Sequence, residues 1–383
     1  MISRDRVRIS RTADVVVIGA GVVGAACAYF AARAGLRVVV VDRGPVAGGT
    51  TSAGEGNILV SDKVPGPELE LALYAQRIWR TDLGEHGARW ELEAKGGLVV
   101  ARTATALATL RRLAAAQRAA GVLCSDLDGD RLADHEPWLA EDLAGAVLYP
   151  QDAQVQPMLA AAHLIRLARD AGAQLITGAA VTAYLRVGDR VLGVRTTAGD
   201  HPAAHVINAA GTWAGEVAAL GGVEVPVRPR RGFVLVTQPV RLDRHGRPPI
   251  RHKVYSADYV ADVASSAADL QTSPLIEGTP GGTILIGSSR ERVGFDRSVS
   301  PVVLARLARA AIELFPALAG IQVLRHYHGF RPYCPDHLPV IGPDPRAPGL
   351  LHACGTKGRA SGCRWRPARC WPTTWSDGLR WST

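Results

Sequence analysis

Cysteine is scarce in this chain of 383 residues, and its distribution excludes two common kinds of small structural site. The six cysteines match neither a disulfide framework nor paired C-x-x-C ligands. They are scattered along the sequence, at Cys27, Cys124, Cys334, Cys354, Cys363 and Cys370. The histidines also lack the paired spacing of a zinc site. We therefore predict no metal centre, and a cytoplasmic, reducing location.

A strong excess of positive charge is also missing from most of the chain. The formal net charge is +9, but residues 356–383 contribute +5 of it, which leaves +4 spread over residues 1–355. Proteins that bind nucleic acid usually carry a concentrated basic patch, so this distribution argues against nucleic acid as a partner. With 47% hydrophobic and 21% charged residues, the composition indicates a globular protein.

One long uncharged run, residues 15–32, follows a basic N-terminal segment in the manner of a signal anchor. Gly19, Gly21 and Gly24 interrupt this run, and a strand–helix–strand pattern continues beyond it. Glycine is an unfavourable residue in the interior of a helix. The sequence therefore predicts no integral membrane segment.

The same glycines form a dinucleotide-binding fingerprint, G-x-G-x-x-G, between a β-branched strand and an Ala-rich helix. Gly19 permits a tight turn, Gly21 lets a pyrophosphate approach the backbone, and Gly24 lets the helix pack on the strand. A second strand ends at Asp42, 23 residues after Gly19, where an acid accepts hydrogen bonds from a ribose. The predicted contacts of this segment are Gly19, Ala20, Gly21, Val22, Val23, Gly24, Asp42 and Arg43.

A loop of small and hydroxyl residues at 48–57 favours FAD over NAD as the dinucleotide. Its Thr50, Thr51 and Ser52 can wrap an extended cofactor with backbone amides and hydroxyl groups. A dehydrogenase that uses NAD usually has no need of such a loop. On composition alone, a flexible surface loop remains the alternative.

With these features in place, the sequence resembles the flavin-dependent amine and D-amino-acid oxidoreductases, the family of glycine oxidase, sarcosine oxidase and D-amino-acid dehydrogenases. The resemblance extends from Val15 to Gly355. Besides the fingerprint and the loop, it rests on five segments that follow one another in the same order as in the family: 174–181, 205–214 (HVINAAGTWA), 229–233 (PRRGF), 329–332 (GFRP) and 338–342 (LPVIG). It implies FAD as the cofactor, with Val181, Ala209, Ala210 and Gly211 among the residues that bind it.

Hydrophobic periodicity predicts a two-lobed α/β (α+β) protein. Apolar residues recur at helical spacing in residues 68–83, 104–120, 157–171 and 300–315. Short strands alternate through the centre of the chain, and extended segments between Arg231 and Arg292 predict an antiparallel sheet.

The resemblance implies how these elements divide into domains. A Rossmann-like FAD-binding domain is discontinuous and comprises residues 1–87, 150–222 and 327–355. The second domain, built on the antiparallel sheet, holds the substrate and comprises residues 88–149 and 223–326.

Arg331 is the predicted substrate-binding residue. In the family that the chain resembles, the arginine of a G-x-R-P segment binds the substrate carboxylate, and a guanidinium matches a carboxylate through two parallel hydrogen bonds. Tyr255 and Tyr259 are candidates for a second contact with the carboxylate or amine; aromatic core residues are the alternative. Cys334 lies close by in sequence, but its spacing does not suit a covalent tether to flavin, and we interpret it as a buried thiol.

The resemblance implies oxidation of a small amino or imino acid, of the D-amino acid, glycine, sarcosine or proline type. Hydride passes from the substrate Cα to flavin N5, and the resulting imine hydrolyses to a 2-oxo acid. The electron acceptor is oxygen, a quinone or a carrier protein. Two alternatives stay open at this point, an FAD-dependent hydroxy-acid dehydrogenase and a cofactor-poor inactive variant.

The last 28 residues, 356–383, depart from the family pattern and predict a change of reading frame. Four tryptophans, two cysteines and six basic residues stand where the family has a Gly-rich loop and a helix beside the flavin. Regrouping the codons from Gly355 gives GHEGPGIGLPLAPGTLLADHLVGRAALVD as one consistent reading, which restores both features. A single-base deletion near Gly355 explains this tail, either as a sequencing error or as a genuine change that weakens FAD retention.

Overall fold

Two eight-stranded sheets organise the computed structural model, which describes residues 12–257 and 266–355. Tyr259 and the predicted change of frame after Gly355 lie outside these residues. Within the described ranges, no helix has both the length and the apolar character that a membrane span requires. The helices are α1 (Val22–Arg33), α2 (Pro67–Arg80), α3 (Ala104–Ala119), α4 (Leu132–His135), α5 (Pro157–Asp170), α6 (Ala214–Ala219) and α7 (Pro301–Leu314).

The first sheet has a parallel centre. Its strands are β1 (Ala13–Ile18), β2 (Val38–Val41), β8 (Gln174–Ile176), β9 (Val181–Val187), β10 (Arg190–Thr196), β11 (Gly199–Asn208), β17 (Val340–Pro343) and β18 (Leu350–Cys354). The main order is β17-β18-β11-β1-β2-β8, and β10 and β9 extend from β11 as an antiparallel hairpin. Val15, Val16 and Val17 of β1 are fully buried because helices or loops cover both faces of a parallel sheet.

The second sheet is mostly antiparallel, as predicted. Its strands are β4 (Gly97–Ala101), β5 (Ser125–Asp128), β6 (Gly145–Tyr149), β12 (Arg228–Thr237), β13 (Lys253–Ser256), β14 (Gln271–Gly278), β15 (Ile284–Arg290) and β16 (Val323–Tyr333). The order is β16-β12-β15-β14-β13-β4-β6-β5, and only the β13–β4 pair among these described neighbours is parallel. A separate ribbon joins β3 (Asn57–Ile58) to β7 (Ala153–Gln154).

Helix α7 shows how local sequence signals produce one layer of this fold. The Ser300 hydroxyl accepts a hydrogen bond from the Val303 amide at 3.4 Å, and Pro301 occupies the first turn, so the helix begins where the chain is capped. Val303, Leu307 and Ala311 recur every four residues and are buried. That apolar stripe packs against β12, β14 and β15 and closes one face of the second sheet.

The predicted fold class, an α/β protein with two sheets, is confirmed, and the four predicted helices are present as α2, α3, α5 and α7. Residue 327, the predicted start of the last FAD-binding segment, lies inside β16, which pairs with β12 from residue 323 to residue 333. The pairing is regular from residue 325 to residue 333 and holds this part of the strand in the second sheet, so the G-F-R-P segment reaches the site from that sheet.

Candidate functional site

A cavity of about 920 Å³ lies between the two sheets. On one side it meets the carboxyl ends of β1, β2 and β18, where ligands bind in open α/β sheets. On the other side it meets residues of β12, β15 and β16. Its volume is at the upper end of the range for small-molecule and cofactor sites. One continuous space therefore joins the fingerprint to the second sheet.

The fingerprint glycines occupy positions that side chains would obstruct. Gly19 has a φ of +107°, and a Cβ there would lie 2.5 Å from the Ala209 carbonyl oxygen. A Cβ on Gly24 would lie 1.8 Å from the Gly19 carbonyl oxygen, so the helix can pack this closely on the turn only without a side chain. Gly21 lines the cavity, and a Cβ there would project to within 3.1 Å of the Thr51 hydroxyl. The cradle is shaped for a ligand that approaches the backbone.

Helix α1 begins at this cradle. Its N-cap residue, Gly21, has no side chain that could cap the first turn. Instead the Val22 amide donates to the Thr51 hydroxyl at 3.1 Å, which attaches the Thr50–Ala53 turn to the helix. The amides and the positive dipole end of a helix N-terminus bind phosphate groups. The predicted threonine loop thus lies where it can surround a pyrophosphate.

Asp42 stabilises the same turn from the end of β2. Its carboxylate accepts hydrogen bonds from the Ala20 amide at 2.6 Å and the Gly44 amide at 2.8 Å, and the residue lines the cavity. Next to it, the Arg43 guanidinium lies 4.3 Å from the centre of the Trp213 ring. These contacts fix the edge of the cavity where the fingerprint predicts a ribose.

Most of the residues that the sequence predicted to bind the cofactor line this cavity: Gly19, Gly21, Val22, Val23, Asp42, Arg43, Thr50, Thr51, Val181, Ala209, Ala210 and Gly211. Ala20 and Gly24 lie behind the turn, one bonded to Asp42 and the other packed on Gly19. Ser52 is exposed, and its hydroxyl donates to the Gly49 carbonyl oxygen at 2.9 Å. The structure therefore places Ser52 on the surface and not in the cavity lining.

Arg331 lines the far part of the cavity from β16. Its Nη1 donates to the Ser289 carbonyl oxygen at 2.8 Å and its Nη2 to the Ser288 hydroxyl at 3.3 Å, so β15, on the far side of β12, orients the guanidinium. The side chain crosses over Gly232 of β12, where a Cβ would lie 1.8 Å from Nη1. Gly232, the glycine of the P-R-R-G-F segment, therefore has a steric role, because it leaves room for the Arg331 side chain.

Tyr255 does not line this cavity. Its ring is fully buried among residues of β4, β6 and α3, and its hydroxyl lies against Ser61 and 3.2 Å from an Asp152 carboxylate oxygen. Burial raises the pKa of Asp152 to about 6, against the hydrogen bonds from Ser61 and Val60 that lower it. Tyr255 therefore belongs to the interior of the second sheet, and the structure contradicts its predicted contact with substrate.

Glu55 is a site residue that the sequence analysis missed. It is buried, lines the cavity and interacts electrostatically with Arg331, Lys253 and Arg290. Burial raises the pKa of this carboxyl, and the positive charge of Arg331 is the largest effect that opposes the rise. A sequence signal was available, because Glu55 is the only charged residue between Arg43 and Asp62.

Behind Glu55 lies a fully buried ion pair between Lys253 of β13 and Glu277 of β14. Burial lowers the pKa of Lys253 well below its usual value, and the negative charge of Glu55 acts in the opposite direction. A buried charge is costly unless it is paired, and the carboxylates of Glu277 and Glu55 both favour the charged form of Lys253.

Two further arginines that the sequence analysis did not select, Arg230 and Arg290, also line this part of the cavity. Both are buried, at 4% and 5% exposure. No local pattern marked them, because β12 and β15 bring them together from positions 60 residues apart in the sequence. With Arg331, they give the far end of the cavity a positive character.

Known proteins are similar to this chain in sequence and in fold over most of their length. The profile of a family described as "FAD dependent oxidoreductase" matches residues 14–362. The glycine oxidase of Pseudomonas aeruginosa is 31% identical over 348 residues, which cover 88% of this chain and 87% of that protein. Hydrogen cyanide synthase subunit HcnC of the same organism is 28% identical over 389 residues, covering 91% and 88%. The crystal structure of glycine oxidase from Geobacillus kaustophilus aligns with a TM-score of 0.80 at 27% identity, covering 92% and 91%.

Proposed function

This chain belongs to the family of FAD-dependent oxidoreductases, and on that premise we propose that it oxidises a small amino or imino acid at Cα, to an imine that hydrolyses to a 2-oxo acid. The cofactor expected from the sequence, FAD, is the one this family uses. The fingerprint cradle fits it, since Gly21, at the N-terminus of α1, lines the cavity and leaves the backbone there open to a phosphate group. We also propose that the first sheet holds FAD and the second sheet the substrate.

The observation that carries this proposal is the position of Arg331 in the same cavity as the dinucleotide cradle. An arginine there binds the substrate carboxylate with two parallel hydrogen bonds and fixes the orientation of Cα. Ser288 and Ser289 hold its guanidinium in place before substrate arrives, which lowers the entropic cost of binding.

Bound FAD supplies the redox chemistry, because N5 of its flavin accepts a hydride from the substrate. The protein contributes position, charge and exclusion of water. Phe330 and Phe295 line the cavity with their rings at 71° and 5.2 Å apart, which adds apolar surface to its lining. In a cavity shielded from water the charge-assisted bonds of Arg331 are stronger than they would be in bulk solvent.

Glu55 favours an amine over a hydroxy acid as the substrate. A substrate ammonium must lose a proton before hydride can leave Cα, and Glu55 is the carboxylate of the described cavity lining that interacts with Arg331. We assign it to the amine: its ionised form attracts the ammonium and accepts the proton at a carboxylate oxygen. A hydroxy acid offers no positive charge to this group.

The test is a substrate panel on the FAD-loaded chain under anaerobic conditions. D-amino acids, glycine, sarcosine and proline are each compared with the hydroxy acid of the same skeleton, and bleaching of the flavin absorption band is recorded. We expect at least one amino or imino acid to bleach the band about 100-fold faster than its hydroxy counterpart. The reverse order would replace the amine proposal with a hydroxy-acid dehydrogenase. Peroxide formed under air would identify oxygen as the acceptor.

The role of Glu55 predicts a specific dependence on pH. Because burial raises its pKa, Glu55 becomes protonated at a higher pH than an exposed glutamate, and kcat/KM should fall as the pH decreases through that raised pKa. Glu55→Gln should remove this acidic limb and lower kcat/KM above it by about 100-fold, the lower end of what a general base contributes.

Glu313→Gln is the matched control, because Glu313 is an exposed residue of α7 that does not line the cavity. This variant should keep the kcat/KM of the unmodified chain and the same decrease in kcat/KM at low pH. An acidic limb that persists unchanged in Glu55→Gln would assign the proton transfer to another group.

A further inference from the structure

We propose that the substrate carries a second carboxylate, and that Arg230 and Arg290 bind it while Arg331 binds the carboxylate next to Cα. This inference rests on the proposed function, and it specifies the substrate class of the same site as the amino- and iminodicarboxylic acids. The observation behind it is the convergence of three arginines on one end of the cavity.

Strand register places Arg230 beside Arg331. The two residues are directly opposite one another in the antiparallel pairing of β12 and β16. Side chains at opposite positions of an antiparallel pair lie on the same face of the sheet, with Cβ atoms about 5 Å apart. Two guanidinium groups therefore project together from the sheet towards the cavity that both residues line.

Gln271 connects Arg230 to Arg290. Nη2 of Arg230 donates to the Gln271 side-chain oxygen at 2.8 Å, and Gln271 is the residue opposite Arg290 in the pairing of β14 and β15. The Arg230 guanidinium also lies 5.5 Å from the centre of the Tyr333 ring. These contacts hold Arg230 in a fixed position on the cavity wall, beside the strand position from which Arg290 extends.

Such a cluster is electrostatically costly in the absence of an anion. Burial and, to a smaller extent, the positive charges of Arg290 and Arg331 together lower the pKa of Arg230 to about 10. Repulsion between like charges in a buried site is relieved when an anion binds between them. The arrangement is therefore suited to a negatively charged ligand group.

The charges of the described cavity lining match a ligand with two carboxylates. Besides Glu55, its acidic residues are Asp42, which is bonded to the fingerprint turn, and the exposed Glu216. Arg230, Arg290 and Arg331 carry three positive charges against the single carboxylate of Glu55, and Arg297 adds another positive charge to the cavity lining. A dicarboxylic amino acid offsets one more of these charges than an amino acid with one carboxylate does.

The second carboxylate can belong to the side chain, as in aspartate, or to a substituent on the nitrogen, as in iminodiacetate. Both classes present the same chemistry to the arginine pair, and matched substrates distinguish them. Aspartate is compared with asparagine, and iminodiacetate with sarcosine, by the rate at which each bleaches the flavin band of the FAD-loaded chain. We expect one dicarboxylate to exceed its partner by about 10- to 100-fold in kcat/KM, the range for one additional charge-assisted contact.

Binding is measured separately from turnover, by calorimetric titration of the full chain with succinate and with succinamate. The two ligands have nearly the same size and differ by one carboxylate. Succinate should bind about 10- to 100-fold more tightly. Arg230→Met and Arg290→Met should each remove at least about tenfold of this preference while leaving succinamate affinity within about twofold. Arg290→Lys retains the charge and should keep part of the preference.

Arg292→Met is the control variant. Arg292 lies 5.3 Å from the centre of the Tyr333 ring, as close to it as Arg230 is, but it does not line the cavity. The preference for succinate should be unchanged in it. Should the buried-arginine variants fail to fold, the comparison of the two ligands on the unmodified chain still decides the question.

Equal affinity for succinate and succinamate would overturn the inference. So would variants that lose FAD affinity but keep the ligand preference, because the arginines would then serve the cofactor. Failure of the proposed function has a different signature. In that case succinate binds preferentially, amino acids do not bleach the flavin, and a hydroxydicarboxylate does, so the second-carboxylate site stands without the amine chemistry.

Discussion

Arg331→Ala should lower kcat/KM for the amino-acid substrate by about 10²- to 10⁴-fold, because it removes two charge-assisted hydrogen bonds worth roughly 1.5–3 kcal/mol each. Loss of the guanidinium releases the carboxylate and with it the orientation of Cα, so kcat should fall as well as the apparent affinity. Arg331→Lys should recover only part of the loss, since a single ammonium cannot form the parallel pair of bonds. Steady-state kinetics on FAD-loaded protein gives kcat, KM and kcat/KM for each variant.

Arg325→Ala is the matched control, because Arg325 lies on the same strand, is exposed and does not line the cavity. Its kcat/KM should remain within about twofold of the unmodified chain, as is usual for surface substitutions. Near-normal turnover in Arg331→Ala, with FAD bound, would remove this arginine from the substrate site and transfer the carboxylate contact to another cation in the cavity.

Gly24→Ala should raise the dissociation constant for FAD by about 100-fold or more. The added Cβ would lie 1.8 Å from the carbonyl oxygen of Gly19, and because that atom belongs to the backbone, helix and turn must separate. Overpacking of this kind costs about 1–3 kcal/mol, and displacement of the helix N-terminus also removes phosphate contacts. Titration of the apoprotein with FAD, followed by flavin fluorescence, gives the constant.

Gly84→Ala serves as the control for this substitution, because a Cβ at Gly84 meets no atom within 4 Å. It should bind FAD as the unmodified chain does. Thermal unfolding of both apoproteins separates a local effect on the cradle from a general loss of stability. Unchanged FAD affinity in Gly24→Ala would show that the cradle tolerates the shift, and would contradict the role given to this glycine.

The cofactor half of the site could be predicted because its signals are local. Strand, glycine turn, helix and terminal acid follow one another between Ala13 and Asp42, and each residue type has a steric or hydrogen-bonding reason to be where it is. The threonine loop follows within ten residues. A pattern that is contiguous in sequence is also contiguous in space.

The substrate half required strand register, which the sequence does not specify. Arg230 and Arg331 face one another only because β12 pairs with β16, a partner about 100 residues away in the chain. Tyr255 shows the opposite case. It lies on a correctly expected sheet, but alternation along a strand does not say which face meets the cavity, and its face packs against α3.

Thr50 and Thr212 connect the cofactor half of the site to the substrate half. Both hydroxyls donate to the Phe330 carbonyl oxygen at 2.7 Å, one residue before Arg331. A dinucleotide that immobilises the Thr50 loop therefore also restrains the strand that presents the guanidinium. We therefore expect FAD binding and substrate binding to be thermodynamically linked, with each changing the affinity for the other by the same factor.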